Sequence, residues 1–345
     1  MTAGRLIGCF LVVGASLLLG ASSALASTVT ISSSNRISVT GEGSERNAVF
    51  ISYDMGLDVY TVVDSAGADG SAACTDVNTT TVTCPGAGIA AVTVKTGSGA
   101  DVIVLNRPTM PATIEGSLDG GTGNDYVYGA NADDSLIGGS NSDFLDGGPG
   151  ADELRGSGGS DIAYYGDRTT PLSVTVGSKD ENDGNEVDQS GAARDTVRGD
   201  IELVIGGAAG DTIVGDGSDE TILGGEGDDL LLGGRGDDTI LAGGGNDFVL
   251  GENGHDVLRG EDGNDRLKGG DDGDRLVGGL GDDILKGQRG VDVMKGKFGI
   301  DRIFARDGTR DAKINCGPGA NSLEKAKRDK GKRNKRNNDP RAKSC

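Results

Sequence analysis

The chain has 345 residues, of which 63 are glycine, 3% are aromatic and one is histidine. Its formal net charge of −21 disfavours binding to nucleic acid, whose phosphate backbone is also negative. A single histidine removes most metalloprotease and Ser-His-Asp schemes. Few aromatic side chains argue against one large packed core. Abundant glycine with high charge fits either disorder or a repeat in which glycine has a fixed geometric role, and the residue spacing decides between them.

Residues 1–26 are predicted to be a secretory signal peptide. Arg5 precedes an apolar stretch from Leu6 to Gly20, and Ala24-Leu25-Ala26 supplies the small-residue cleavage site before Ser27. This stretch of about 15 residues is shorter than the ~20 that a membrane-spanning helix needs. We therefore expect a protein that is secreted into the extracellular space or associated with the cell surface, without a membrane span.

Residues 27–95 are rich in Thr, Val and Ser. Apolar and polar side chains alternate in stretches such as Val29-Thr30-Ile31 and Tyr60-Thr61-Val62-Val63. This pattern predicts short β-strands that form an N-terminal cap or a small β-domain. A ligand-binding module is the alternative, although no residues can be nominated for it.

Signal cleavage would leave four cysteines, an even number that suggests two disulfides in an exported chain. Three pairings are possible. The pairs Cys74–Cys84 and Cys316–Cys345 are favoured because local loop closure costs the least entropy.

Two arrays of nine-residue units form most of the remaining chain. Residues 120–164 contain five units and residues 206–304 contain eleven, and a degenerate unit at 96–104 extends the first array to 96–164. Among the sixteen regular units, position one is glycine in all but the unit that begins at Ala242, position six is always acidic, and position eight is always apolar. This regularity rules out chance and predicts a repeat architecture.

The positions of the unit predict its local structure. Glycine at positions one, two and four allows a tight six-residue turn, and the last three residues form a short strand whose position-eight side chain points inward. Two units would make one coil, and stacked coils would build two parallel sheets. Neighbouring strands within each sheet would lie about 4.7–4.9 Å apart. We therefore predict an all-β fold, a parallel β-roll or solenoid, with a thin core of position-eight side chains. In the second array these include Ile213, Ile222, Leu231, Ile240, Val249, Leu258, Leu267, Leu276 and Leu285.

The position-six acids would lie above one another at the edges of such a roll. Their carboxylates would repel, and a hard divalent cation would offset that repulsion. Calcium takes about 6–8 oxygen ligands from carboxylates and carbonyls, whereas magnesium demands strict octahedra and zinc or copper would need His or Cys. Several calcium ions are therefore the predicted cofactors.

Units such as GGEGDDLLL (224–232) and GGLGDDILK (278–286) match the pattern G-G-x-G-x-D-x-U-x. This pattern resembles the RTX, or hemolysin-type, calcium-binding nonapeptide repeat, which implies a calcium-bound parallel β-roll. The resemblance implies that the position-six acids are the side-chain ligands of calcium. In this sequence they are Asp101, Asp125, Asp134, Asp143, Asp152, Asp161, Asp211, Glu220, Asp229, Asp238, Asp247, Asp256, Asp265, Asp274, Asp283, Asp292 and Asp301.

Some units depart from the pattern and are expected to bind calcium weakly. Position four is not glycine at Ala132, Asn141, Ala209, Ser218 and Asp272. Glu220 adds a methylene where the geometry is tight. The two units in 287–304 resemble a cap more than good sites.

Two segments lie outside the repeats. Residues 165–205 contain one strand-like run, Leu172–Val176, and are predicted to be an insertion loop on the surface of the solenoid. Residues 305–345 are predicted to be a C-terminal cap and a basic tail, for which disorder is the default. The tail could instead dock on the acidic solenoid or on anionic cell-envelope polymers.

The sequence favours a calcium-binding protein, a monomer that folds on export, over an enzyme. His255 occupies position five of a regular unit, neither H-E-x-x-H nor G-x-S-x-G occurs, and the segments outside the repeats are short for a catalytic domain. One alternative is a cell-surface structural or adhesion protein that uses calcium for rigidity. A secreted glycan-active enzyme that uses only carboxylates is the less favoured alternative.

Overall fold

The computed structural model describes residues 25–42, 46–70, 73–78, 80–177, 184–185, 195–305, 311, 313–318 and 322–324. Within these ranges every helix or strand is a β-strand. No helix in the described part of the chain is long and apolar enough to cross a membrane. The predicted signal peptide up to residue 24, residues 178–183 and 186–194 of the predicted insertion, and the basic tail from residue 325 lie outside the described residues.

Nine strands precede residue 106: β1 (Leu25–Ile31), β2 (Arg36–Glu42), β3 (Ala48–Asp54), β4 (Val59–Asp64), β5 (Ala68–Gly70), β6 (Thr75–Asn78), β7 (Thr81–Pro85), β8 (Ala91–Lys95) and β9 (Val102–Leu105). The next ten are β10 (Glu115–Thr122), β11 (Tyr126–Tyr128), β12 (Ser135–Ser140), β13 (Phe144–Asp146), β14 (Glu153–Gly158), β15 (Ile162–Tyr164), β16 (Leu172–Thr175), β17 (Gly184–Asn185), β18 (Thr196–Val197) and β19 (Leu203–Ile205).

The second array and the residues after it supply β20 (Thr212–Val214), β21 (Thr221–Glu226), β22 (Leu230–Arg235), β23 (Thr239–Gly244), β24 (Phe248–Asn253), β25 (Val257–Asp262), β26 (Arg266–Asp271), β27 (Arg275–Leu280), β28 (Ile284–Gln288), β29 (Val293–Phe298), β30 (Arg302–Phe304), β31 (Lys313–Asn315) and β32 (Ser322–Glu324).

The strands form three sheets. Sheet I has fifteen strands in the order β31-β29-β27-β25-β23-β21-β19-β15-β13-β11-β9-β3-β4-β7-β6. Sheet II has the order β18-β14-β12-β10-β8-β2-β1-β5, and sheet III has the order β17-β16-β20-β22-β24-β26-β28-β30-β32. Successive units alternate between sheet I and one of the other two sheets, and strands of adjacent coils pair in parallel. The chain is therefore an all-β parallel roll, as predicted.

The core of the roll is one side chain thick on each face. The position-eight side chains are fully buried, from Val127 and Leu136 in the first array to Leu285 and Ile303 in the second. Because each unit contributes one such side chain, the fold needs few aromatic residues. The predicted core of the second array is confirmed.

Most strands of the second array are longer than the three residues predicted. Strand β21, for example, runs from position seven of one unit to position three of the next and pairs with β23 in register, Gly225 opposite Gly243. Gly225 and Gly227, at positions two and four of their unit, have φ of 112° and 113°. A left-handed backbone at these two positions lets the chain turn while the strand pairing continues.

The N-terminal region is continuous with the roll. Strand β2 pairs in parallel with β8, and β3 pairs in parallel with β9, so both faces extend into this region. Strands β4, β7 and β6 add an antiparallel edge to sheet I. The predicted Cys74–Cys84 disulfide is present. Cys316 is also disulfide-bonded, while Cys345, its predicted partner, lies outside the described residues.

The prediction of a surface insertion at 165–205 is wrong for the described parts of that segment. Strand β16 joins sheet III, β18 joins sheet II and β19 joins sheet I. Val174, Val197 and Val204 are fully buried in the core. These residues therefore build a coil between the two arrays. They lie in the roll and not on its surface because the apolar side chains at their strand centres are buried in the core.

Candidate metal sites

The position-six acids form a hydrogen-bonded ladder along each edge of the roll. Each acid is nearly inaccessible to solvent, with 0–3% exposed. One oxygen accepts the backbone N–H of the equivalent acid in the preceding coil. Asp229 N donates to Asp247 Oδ1 at 2.8 Å, and Asp247 N donates to Asp265 Oδ1 at 3.0 Å. The step is 18 residues because one coil contains two units.

The second oxygen of most of these acids is buried and accepts no hydrogen bond from any described residue. A buried carboxylate oxygen without a donor is costly, and a cation is the partner it lacks. Calcium prefers such oxygens together with backbone carbonyls, which the adjacent glycine turns supply. The residues therefore fit the ion. This group comprises Asp101, Asp125, Asp143, Asp161, Glu220, Asp229, Asp238, Asp247, Asp256, Asp265, Asp274 and Asp283.

Burial shifts the acid–base behaviour of these carboxylates. Desolvation raises the pKa of Asp247 to about 6, of Asp229 to about 7 and of Asp274 to about 8. Neighbouring carboxylates add to the increase, as Asp256 and Asp292 do for the pKa of Asp274. Without a metal ion, the ladder therefore resists full ionisation near neutral pH.

Three predicted ligands fit calcium less well than the rest. Asp134 Oδ2 accepts a hydrogen bond from Ala130 N at 2.6 Å, and Asp211 Oδ2 accepts one from Gly207 N at 2.7 Å, so neither carboxylate has an oxygen left over. Desolvation, followed by the hydrogen bond and charge of Asp216, raises the pKa of Glu220 to about 9. A carboxyl group with that pKa is largely protonated at neutral pH.

The residue at position four explains two of these exceptions. Glycines at this position, such as Gly245 and Gly263, have φ of 142° and 140°. Ala132 and Ala209 occupy the same position before Asp134 and Asp211, and neither has a positive φ. The altered turn leaves the backbone N–H of position two free to bond the carboxylate.

The remaining predicted ligands, Asp152, Asp292 and Asp301, are also buried in the ladders. Asp152 Oδ1 accepts the N–H of Asp134 at 2.8 Å, and Asp301 Oδ1 accepts the N–H of Asp283 at 3.1 Å. Among the described residues, no three His, Cys, Asp or Glu side chains converge on one point. A calcium ion at these turns would be held by carboxylates together with turn carbonyls.

Sequence reasoning missed two members of the ladders. Asp195 is fully buried, and its Oδ1 accepts the N–H of Asp152 at 2.8 Å. Glu202 Oε2 accepts the N–H of Asp161 at 2.7 Å. Each is followed two residues later by a buried valine, as at positions six and eight of a unit. The two acids are seven residues apart rather than nine, so a strict nine-residue register does not detect them.

A second ladder, formed by position-five side chains, was also missed. Asp228 Oδ1 accepts the N–H of Asn246 at 2.7 Å, Asn246 Oδ1 accepts that of Asn264 at 3.1 Å, and Asn264 Oδ1 accepts that of Asp282 at 2.8 Å. Asn or Asp at an 18-residue spacing was the available signal. This exposed ladder reinforces the stacking of the turns next to the buried carboxylates.

Comparison with known families identifies the repeats. A family model described as the RTX calcium-binding nonapeptide repeat (4 copies) matches overlapping segments that together cover residues 117–167 and 199–303. The two arrays are RTX calcium-binding nonapeptide repeats, and they form a parallel β-roll. The matched residues include 199–205, which are part of the coil between the arrays. They also contain position-six acids from both edges of the roll. No curated protein sequence is significantly similar to the chain.

Proposed function

We propose that this RTX protein is secreted and that calcium completes the fold of its repeats outside the cell. The observation that carries this proposal is the row of buried carboxylate oxygens without a hydrogen-bond donor along both edges of the second array. Secretion rests on the predicted signal sequence at residues 1–26.

Mass action links the ion to the fold. A ligand that binds only the folded state adds about 2.7 kcal/mol of stability per site when it is present at 100 times its dissociation constant. In low calcium the carboxylates of Asp229, Asp247 and Asp265 must either repel one another or take up protons. In millimolar calcium, the ion neutralises them and bonds the oxygens that lack donors. The chain would therefore cross a membrane unfolded and fold after export.

The function proposed is binding and structure, without catalysis. His255, the single histidine of the chain, has its Nδ1 3.0 Å from the Gly273 carbonyl oxygen and 3.1 Å from the Gly273 amide nitrogen, within the position-five stack. The buried acids follow the period of the coils, which is the pattern of metal ligands. A glycan-active enzyme that uses two carboxylates is the less favoured alternative.

A cell-surface structural or adhesion role is the second candidate. Sheet I is continuous from the N-terminal region to β31, so calcium would stiffen one rod rather than two separate domains. Attachment to anionic envelope polymers through the basic tail, and a monomeric state, belong to this proposal.

Circular dichroism during a calcium titration tests the proposed function. The expected result is a large gain of β-structure between chelator and millimolar calcium, with magnesium much less effective. Asp265→Asn keeps an oxygen for the N–H of Asp247 but removes the charge, and it should raise the calcium concentration needed for folding. Asp262→Asn, the matched control at an exposed position of the same turn, should not. Complete β-structure in chelator would refute the proposal.

A further inference from the structure

Two arginine side chains lie over the glycine turns at one edge of the first array. Arg107 follows β9 and Arg168 follows β15, so they belong to coils on either side of the turns at 129–134 and 147–152. Both arginines lie close to the same carboxylate, that of Asp146. Asp146 is 3% exposed, and it is the single acid at position nine among the regular units.

The guanidinium group of Arg107 reaches across two turns. Its Nε donates to the carbonyl oxygen of Gly129 at 3.2 Å, and its Nη2 donates to the carbonyl oxygen of Asp146 at 3.3 Å. Nη2 also forms an ion pair with the Asp146 carboxylate, and Nη1 lies 3.3 Å from Asp167 Oδ2.

Arg168 completes the arrangement from the other side. Its Nη2 donates to the carbonyl oxygen of Gly148 at 2.7 Å, and its Nη1 bonds Asp167 Oδ1 at 2.7 Å. The side chain is only 8% exposed. Together the two arginines bond the carbonyls of Gly129 and Gly148, which belong to two adjacent turns of this edge.

The turn at 129–134 on this edge lacks a feature found along the second array. At Asp229, Asp247 and Asp265 one carboxylate oxygen has no donor, whereas both oxygens of Asp134 accept backbone N–H groups. Carbonyl and carboxylate oxygens are the ligands that calcium needs. At the turns 129–134 and 147–152, positive groups of the protein already bond several of them.

We infer that Arg107 and Arg168 replace calcium at this edge of the first array, so that these turns are held together without the ion. This inference rests on the proposed function, because it makes one edge of the first array independent of the calcium that the other turns need. The arginine pair with Asp146 is named here the arginine clamp.

The clamp differs from calcium in that its charge is always present. A guanidinium group stays protonated under all physiological conditions and offers five fixed donors. The coils around β11 to β15 therefore stay joined at this edge in chelator, while the acids of the opposite edge, Asp125, Asp143 and Asp161, still need calcium. In repeat proteins each unit is stabilised by its neighbours, so this folded segment gives the second array an end on which coils can be added as calcium binds.

Hydrogen–deuterium exchange of the full chain in chelator and in millimolar calcium tests the inference. In chelator, the amides of β11 to β15 should exchange at least about tenfold more slowly than those of β22 to β28. In calcium, the two groups should be similarly protected. Equal loss of protection in both arrays in chelator would overturn the clamp. Protection of both arrays in chelator would contradict the proposed function instead.

Variants separate the clamp from an ordinary ion pair. Arg107→Met combined with Arg168→Met should abolish the protection of β11 to β15 in chelator. Arg289→Met is the matched control, because Arg289 pairs with Asp271 on the exposed surface of the second array, and it should leave this protection unchanged. Retained protection in the double variant would overturn the inference. The wild-type comparison needs no variant, so it decides the question even if the double variant does not fold.

Discussion

Gly263→Ala is expected to disrupt one calcium turn of the second array. Gly263 has a φ of 140°, and a Cβ atom there would lie 1.5 Å from the carbonyl oxygen of Gly245 and 2.6 Å from its carbonyl carbon. Neither atom belongs to a side chain that could rotate away. Strained backbone of this kind costs about 1–3 kcal/mol. Since 1.4 kcal/mol is a factor of ten, this is roughly a 5- to 150-fold change in the folding equilibrium.

The turn can avoid the clash only by changing its conformation. The turns with Ala132 and Ala209 at this position show the result, because there the carboxylate accepts a hydrogen bond from the N–H of position two. In Gly263→Ala, the second oxygen of Asp265 should therefore accept a hydrogen bond from the backbone N–H of position two in the same turn. Calcium binding at that coil should then weaken.

Urea denaturation at fixed calcium and isothermal titration with calcium measure the two effects. Gly217→Ala is the control, because a Cβ there meets no atom within 4 Å and the residue has no positive φ. It should be neutral or slightly stabilising. Equal stability and equal calcium binding for Gly263→Ala and the wild type would refute the link between a left-handed position four and the metal site.

Three further predictions concern the strain, the carboxylates and the N-terminal region. Glu252 has a φ of 83°, so Glu252→Gly should stabilise the calcium-bound roll by roughly 0.5–1 kcal/mol in urea denaturation, and destabilisation would contradict this. Burial raises the pKa of Asp229 to about 7 and of Asp274 to about 8, above the ordinary value of about 4. Protons therefore stabilise the calcium-free fold fully below pH ~4, and this contribution is lost as pH rises through 7–8. In chelator, circular dichroism should show more β-structure at pH 5 than at pH 8, and the reverse order would exclude the proposed effect. Cys84→Ser opens the Cys74–Cys84 loop and should cost about 2–4 kcal/mol in thermal unfolding of the N-terminal strands, without changing calcium binding by the second array.

The regular part of the fold could be predicted because its period is strict. Glycine at position one, an acid at position six and an apolar residue at position eight fix the turn, the edge and the core, and residues such as Asp247 and Val249 lie where that pattern puts them. The second array follows from local rules because each coil contacts only its neighbours.

The rest depended on contacts between residues distant in the chain. The coil built by β16, β18 and β19 has units of unequal length, so periodicity could not detect Asp195 or Glu202. The arginine clamp joins Arg107 and Arg168 across 61 positions of the sequence, and nothing in either residue's local sequence indicates this. The sequence predicts weak calcium binding at the turn of Ala132, because position four there is not glycine. The hydrogen bond from the backbone N–H of Ala130 to Asp134 Oδ2 could be found only from the turn geometry.

Anomalous diffraction from crystals grown in calcium tests the account most directly. The account predicts peaks next to the carboxylates of Asp229, Asp247 and Asp265, whose second oxygens lack donors. It predicts none between the turns 129–134 and 147–152, where the arginine clamp lies. Absence of peaks along the second array would contradict calcium binding by the ladders, and a peak within the clamp would contradict the replacement of calcium by the two arginines.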